Sequence, residues 1–206
     1  MTQNLAQFAV VALALVVSPG PDTMVILRHA ICGRGNGLRA VWGVQTGLLV
    51  HLALIVSGLS LLIAAEPRLL RAVAFVGSIY LAWLAFGIIR APFSINGGGK
   101  SGGFMASPFR HGMLTNLLNP KVILIFAGLM PNFTDAKLGA TSLQFVLLAA
   151  ILIIINTLYQ SALCFFADAV RGFLITDGKR QKMARFVLGA ALLAFAVLLF
   201  AGNVRG

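Results

Sequence analysis

The sequence predicts an all-α polytopic membrane protein, and composition is the first reason. Of the 206 residues, 59% are hydrophobic and only 10% are charged, and the mean hydropathy is +0.95. Soluble domains contain about 45–50% apolar and about 25% charged residues. The balance excludes an ordinary soluble domain, a disordered chain and a disulfide-rich secreted module.

Long apolar runs are the second reason. A hydrocarbon core about 30 Å thick is crossed by about 20 apolar residues in a helix, and the runs lack the alternation of a membrane β-barrel. Prolines interrupt the first run at residues 18–22 and the fourth at 119–121. The sequence therefore predicts six transmembrane helices, of which helices 1 and 4 are broken by proline. They are expected at about 4–32, 38–65, 69–90, 109–131, 140–171 and 183–203.

The distribution of Lys and Arg predicts the orientation. Short cytoplasmic segments carry an excess of these residues, and alternate gaps between the runs differ strongly. The gaps after helices 1, 3 and 5 hold Arg28, Arg34, Arg39, Arg90, Lys100, Arg110, Arg171, Lys179, Arg180, Lys182 and Arg185. The opposite side holds Arg68, Arg71, Lys137 and Arg205. We expect a multi-pass protein of a bacterial-type inner (cytoplasmic) membrane with both termini outside, and we interpret the net charge of +11 as a topology signal, with no nucleic-acid partner.

The chain divides into two halves within a single transporter domain. Residues 1–91 form the first predicted three-helix unit, 92–108 a Gly- and Ser-containing cytoplasmic linker, and 109–206 the second unit. With three helices per unit, the second half enters the membrane from the opposite side. Pro21-Asp22 and Pro120-Lys121 also occupy matching places in the two units. The sequence thus predicts two inverted repeats, a common plan in secondary transporters.

The broken helices predict where a site lies. Proline removes a backbone donor, and an unpaired carbonyl in hydrocarbon requires a partner from protein or from a water-filled cavity. Half-helix ends of this kind bind ions and zwitterions. The backbone residues expected at the site are Pro19, Gly20, Pro21 and Pro120.

Two ionisable residues adjoin the breaks. A charged side chain within a span is expensive and is a functional-site hypothesis by default, which singles out Asp22 and Lys121. One interpretation is a structural ion pair between the halves. The other is that they face the ammonium and carboxylate of a substrate, or that Asp22 takes a coupling proton. Asn116 and Asn119 can supply donors and acceptors to the same site.

Other polar residues within the runs are weaker candidates. Gln45, Asn156, Tyr159 and Gln160 are interpreted first as interhelical hydrogen-bonding groups and second as substrate contacts. The Gly43-x-x-x-Gly47 spacing predicts close helix packing, and these glycines together with Gly58 are compatible with a homodimer. No metal-ligand set can be assembled, so neither a metal nor a cofactor is expected.

Two motifs resemble a known family. Ser18-Pro19-Gly20-Pro21-Asp22, followed by a basic Gly-rich turn, looks like the start of the LysE/RhtB family of amino-acid exporters. The segment Asn116–Lys121, ahead of an apolar run ending in Pro131, resembles the second-half motif of that family. The resemblance covers essentially the whole chain. It implies efflux of an amino acid or a related small metabolite, driven by protons, with Asp22 and Lys121 at the site.

Two other classes of protein are alternatives to an exporter of this kind. A cation or metal efflux protein, or a passive channel, would need more acids, His or thiols within the membrane than this chain has. A membrane-embedded enzyme would need a nucleophile or metal constellation, whereas His29, His51 and His111 lie on separate segments. The sequence therefore favours a secondary transporter working by alternating access, and not an enzyme.

Overall fold

A computed structural model of the protein describes residues 2–59, 65–90, 107–135, 137 and 139–204. Every regular element in these ranges is helical. The α-helices are α1 (Thr2–Val17), α2 (Pro21–Ile31), α3 (Arg34–Val56), α4 (Pro67–Arg90), α5 (Pro108–Leu117), α6 (Pro120–Leu124), α7 (Thr141–Ile175) and α8 (Gly178–Val204). A π-helical turn (Ile125–Leu129) and a 3-10 turn (Met130–Phe133) extend α6.

Both predicted breaks are present. α1 and α2 meet at 58°, and α5 and the segment from Pro120 to Phe133 meet at 51°. Pro21 and Pro120 each occupy the first position of the helix after the break. Proline is well accepted there because that position has no intrahelical acceptor for an amide hydrogen. The prolines therefore end one helix and begin the next.

The described helices provide between four and six membrane spans. α3, α4, α7 and α8 are each long and apolar enough to cross a bilayer, and each bent pair qualifies when its two pieces are taken as one span. The all-helical membrane fold is thus confirmed, with the predicted six spans as the upper value.

The structure corrects two of the predicted helix boundaries. The second helix was expected over residues 38–65, but α3 begins at Arg34 and ends at Val56. Gly58 follows with φ +79, a backbone conformation that glycine adopts without steric cost. The fourth was expected as one α-helix after its break, but only five residues of α6 precede the π-helical turn. Residues 92–106 of the predicted linker 92–108 lie outside the residues that the structure describes.

Each half packs its second helix against the broken helix of the other half. α3 packs on α5, α7 packs on α1 and α2, and α4 runs along α8. One apolar core joins α2, α3, α4 and α8, with contributions from the later part of α7, and a second joins α1, α3, α6 and α7. Along α3 and α7, the polar residues Gln45, Asn156 and Gln160 lie between the parts belonging to the two cores. The fold therefore places a polar layer between two apolar ones.

Glycines allow α3 and α5 to approach closely, as predicted. A Cβ on Gly43 would clash with the carbonyl of Phe109, and a Cβ on Gly112 would clash with the carbonyl of Ala40. A Cβ on Gly47 would lie 2.6 Å from Asn116 Oδ1. Gly43 and Gly47 are thus buried within the protein and do not offer a surface to a second copy, which removes them as support for a homodimer.

Candidate functional site

The proline breaks leave specific carbonyl groups without their helical donors. In an α-helix, a carbonyl accepts from the amide four residues later, and proline has no amide hydrogen. The affected carbonyl and proline pairs are Leu15 with Pro19, Val17 with Pro21, and Asn116 with Pro120. Buried carbonyls without partners cost free energy, so other groups in the fold are expected to supply donors.

Side chains of the second half supply the donors for the two carbonyls of α1. Lys121 Nζ donates to the Leu15 carbonyl at 3.0 Å. Tyr159 Oη donates to the Val17 carbonyl at 3.4 Å. The two carbonyls at the first break therefore accept hydrogen bonds from residues more than 100 positions away in the chain.

The carbonyl of Asn116 is satisfied in the same way from the first half. It accepts from the backbone amide of Asn119 at 3.1 Å, and His51 Nε2 lies 3.4 Å from it. A carbonyl only accepts, so this bond requires the tautomer with the proton on Nε2. His51 was not among the predicted site residues. The proline spacing identifies the orphaned carbonyl, but a contact between helices is needed to identify its partner.

This contact predicts a stability effect. In His51→Leu, the Asn116 carbonyl loses its side-chain donor but keeps the Asn119 amide, at a cost of about 0.5–1.5 kcal/mol. We expect the midpoint of thermal unfolding in nanodiscs to fall by about 1–6 °C. His51→Gln, which keeps an N–H donor, should lose less than half as much. Equal losses in both variants would show that the ring volume, and not the hydrogen bond, determines the effect.

Asp22 lies in the first turn of α2, where a helix N-terminus favours negative charge. Asn116 Nδ2 donates to Asp22 Oδ2 at 2.9 Å across the interface between the halves. The other carboxylate oxygen, Oδ1, and the amide oxygen of Asn116 are both buried and have no hydrogen-bond partner among the described residues. Two unpaired acceptors therefore remain at the break, and together they suit a cationic donor such as an ammonium group.

Asp22 and Lys121 do not form the ion pair that was one of the two predicted interpretations. Within the described residues, Asp177 and Arg180 form an ion pair, at 3.7 Å, but Asp22 and Lys121 do not approach within 4.0 Å. Each instead bonds to the opposite half, Asp22 to Asn116 and Lys121 to Leu15. The amine of Lys121 thus donates its hydrogen bond to a neutral carbonyl, which an anion can displace.

Asn119 caps α6. Its Oδ1 accepts from the backbone amide of Lys121 at 3.1 Å, and the residue is only 7% exposed. Asparagine is a preferred N-cap residue because its side-chain oxygen satisfies an amide of the first turn. In this conformation the oxygen of Asn119 fixes the helix start beside Lys121.

A small cavity joins these groups, with a volume of about 60 Å³. A water molecule needs at least about 10–15 Å³ of such space, so the cavity has room for a few waters and must widen to admit an amino acid. Its polar lining residues are Ser18, Asp22, Thr23, Asn116, Asn119, Lys121, Asn156 and Gln160. Gly20 also lines it, whereas Pro19, Pro21 and Pro120 line an adjoining apolar space.

The weaker candidates also gather around the cavity. Asn156 and Gln160 face it from α7. Gln45 does not line the cavity, and its Nε2 donates to Gln160 Oε1 at 3.2 Å. Gln45 therefore contacts the cavity only through Gln160. Ser18, the first residue of the motif, and Thr23, which follows it, also line the cavity, although the sequence did not predict either as a site residue.

The chain is thus a helical membrane protein with a polar cavity where its two broken helices meet. The family model described as "LysE type translocator" matches residues 13–202. The chain belongs to this family, so it is a membrane transporter and not an enzyme.

Curated relatives agree over nearly the full length. The chain is 30% identical over 200 residues to the leucine efflux protein of Enterobacter sp. (strain 638), covering 95% of this chain and 94% of the relative. It is 27% identical over 205 residues to the uncharacterized membrane protein YrhP of Bacillus subtilis (strain 168), covering 94% and 97%. The leucine efflux protein of Salmonella typhi is 28% identical, covering 95% and 94%. No solved structure matches the chain.

Proposed function

We propose that this protein exports a neutral amino acid or a close relative from the cytoplasm. The observation that carries the proposal is the pairing of chemistries in one cavity. Asp22 and Asn116 each carry a buried oxygen without a hydrogen-bond partner among the described residues, and the Lys121 amine, bonded to a neutral carbonyl, lines the same cavity. An α-ammonium suits the oxygens, and an α-carboxylate suits the amine.

The names of the relatives support this class of substrate. Two of the relatives described above are named leucine efflux proteins. The cavity also contains uncharged amide groups from Asn156 and Gln160, which can bind polar substrate atoms without favouring a charged side chain. We therefore extend to this chain the export of a neutral, leucine-like amino acid.

We further propose alternating access with proton coupling at Asp22. The contacts described above join each broken helix to the opposite half, so a rocking movement of the halves must exchange them. Such rocking about a central site is the usual mechanism of transporters built from two halves. Asp22 bears the one acidic group in the cavity lining, which makes it the group to carry the proton.

The orientation is also a proposal, supported by where the basic residues gather. Arg185 Nη1 donates to the Arg90 carbonyl at 3.4 Å, which brings the start of α8 to the end of α4. The guanidinium of Arg34 lies 5.1 Å from the centre of the Phe165 ring on α7. Both contacts join segments that the charge rule assigns to the cytoplasm, which supports the proposed orientation.

Export by intact cells tests the proposed function. Cells lacking their own exporters would be loaded with dipeptides of single neutral amino acids, and release of the free amino acid would be followed with and without this protein. We expect faster release of at least one neutral amino acid and slower release after collapse of the proton gradient. Protection of cells against metal salts alone, with no amino acid released, would favour the alternative class of cation exporter.

A further inference from the structure

A second cavity adjoins the polar one, and its chemistry is different. This apolar chamber has a volume of about 630 Å³ and lies between the two proline breaks and α8. Its far wall is formed by Leu124 and Leu129 beyond the second break and by Phe195, Leu198 and Leu199 of α8. These side chains offer dispersion contacts and no hydrogen bonds.

The two cavities share a wall. Six residues line both of them: Leu15, Ser18, Gly20, Asn119, Lys121 and Ile125. Lys121 belongs to this wall, and its amine bonds to the carbonyl of Leu15, also in the wall. A molecule whose carboxylate draws Lys121 away from Leu15 would therefore sit at the boundary between a polar and an apolar space.

We propose that the apolar chamber receives the side chain of the exported amino acid and that α8 determines side-chain specificity. The inference rests on the proposed function and adds a substrate class: amino acids with extended apolar side chains. The volumes support this division, because the polar cavity holds only a few waters whereas the chamber falls within the range of about 300–1,000 Å³ typical of ligand pockets. The charged groups of the substrate stay with Asp22, Asn116 and Lys121, while its hydrocarbon part leaves water.

The shared wall between the two spaces favours the substrate as the occupant. A lipid chain or a second copy of the protein would also cover apolar side chains. Neither needs a wall that carries Lys121, the cap residue Asn119 and the break residues Ser18 and Gly20. A substrate needs that wall because displacement of Lys121 from Leu15 by its carboxylate would open the boundary that its side chain must cross.

A homologous series of substrates tests the proposal. Export of the amino acid identified in the cell screen would be competed with L-2-aminobutyrate, L-norvaline and L-norleucine, which differ by one methylene at each step. Burial of a methylene contributes about fourfold in affinity. We expect each step to lower the inhibition constant of the wild type by about that factor, so norleucine should compete at least about tenfold better than aminobutyrate.

Substitutions on two walls of the chamber should weaken the dependence of the inhibition constant on side-chain length. Leu198 on α8 is 68% exposed and Leu124 on α6 is 50% exposed, so both sites have room for a larger side chain. We expect Leu198→Trp and Leu124→Trp to fill the chamber and to remove the gain from norvaline to norleucine, with each variant's inhibition constants compared with its own value for aminobutyrate. The matched control is Val187→Trp, at 58% exposure three turns earlier on the same face of α8, which should keep the wild-type slope.

The outcomes separate the two proposals. If the wild type exports no amino acid, the proposed function itself is wrong. If the wild type exports one but inhibition does not depend on chain length, or if both tryptophan variants keep the full slope, the chamber is covered by lipid or a second copy and the inference is overturned. Because each variant is compared with its own value for aminobutyrate, a loss of folded protein does not change the chain-length dependence.

Discussion

Asp22→Asn and Lys121→Met should each lower amino-acid export by about 10- to 100-fold while leaving membrane insertion intact. The expected size follows from the interactions removed, because a hydrogen bond to a charged group contributes about 1.5–3 kcal/mol and each 1.4 kcal/mol is about tenfold. Initial rates from inverted vesicles, normalised to the amount of inserted protein, would measure the effect.

Two variants away from the cavity serve as controls for the loss of charge. Asp177→Asn removes an acid from the exposed pair with Arg180, and Lys137→Met removes an exposed cation between the 3-10 turn and α7. Both should keep export within about twofold of wild type. Normal export by Asp22→Asn or Lys121→Met would contradict the assignment of the site.

Exchange of the two charges distinguishes binding from simple pairing. Because Asp22 and Lys121 bond to Asn116 and Leu15 and not to each other, Asp22→Lys combined with Lys121→Asp should be no more stable than the single variants. Recovery of stability in the double variant would instead support a structural ion pair in another conformation of the transporter.

Gly47→Ala should produce the second large effect, through a residue that lines neither cavity. The added methyl group would lie 2.6 Å from Asn116 Oδ1 and 2.9 Å from its Cβ, so the Asn116 side chain must leave the position in which it bonds to Asp22. We expect export to fall by about tenfold or more and the free energy of unfolding to fall by about 1–3 kcal/mol, as for other overpacked sites. Gly47 is thus predicted to be a positioning residue for Asn116.

A matched glycine and a double-mutant cycle isolate this role. Gly172→Ala places a methyl group in open space on α7 and should leave export unchanged. In an Asn116→Gly background the clash with both the amide and the Cβ disappears, so Gly47→Ala should then cost export less than twofold. If the losses from the two substitutions simply add, Gly47 does not act through Asn116.

Sequence reasoning located the breaks and their ionisable residues because those features are local. Proline cannot donate a backbone hydrogen wherever it occurs, so the angles at Pro21 and Pro120 follow from residue identity alone. The membrane class likewise follows from the lengths of the apolar runs. The ends of α3 and the π-helical turn after Leu124 did not follow, because they depend on a glycine conformation and on packing near Pro131.

Partner choice within the site could not be predicted in this way. Asp22 and Asn116 are separated by 94 positions in the chain, and nothing local indicates that their side chains meet. Lys121 was considered as a partner for Asp22, yet it bonds to the carbonyl that Pro19 leaves unpaired. The geometry also assigns Asn119 to a helix cap and His51 to the carbonyl of Asn116, roles that require knowledge of how the halves pack.

Binding of an amino acid and its carboxamide to purified protein in nanodiscs tests whether Lys121 binds the substrate carboxylate. The carboxamide keeps the ammonium and the side chain but lacks the negative charge that Lys121 is proposed to bind. We predict that the wild type prefers the amino acid by at least about tenfold and that Lys121→Met binds the two ligands within about twofold of each other. Full preference for the amino acid in Lys121→Met would show that the substrate carboxylate is bound elsewhere. That result would contradict the proposed role of Lys121.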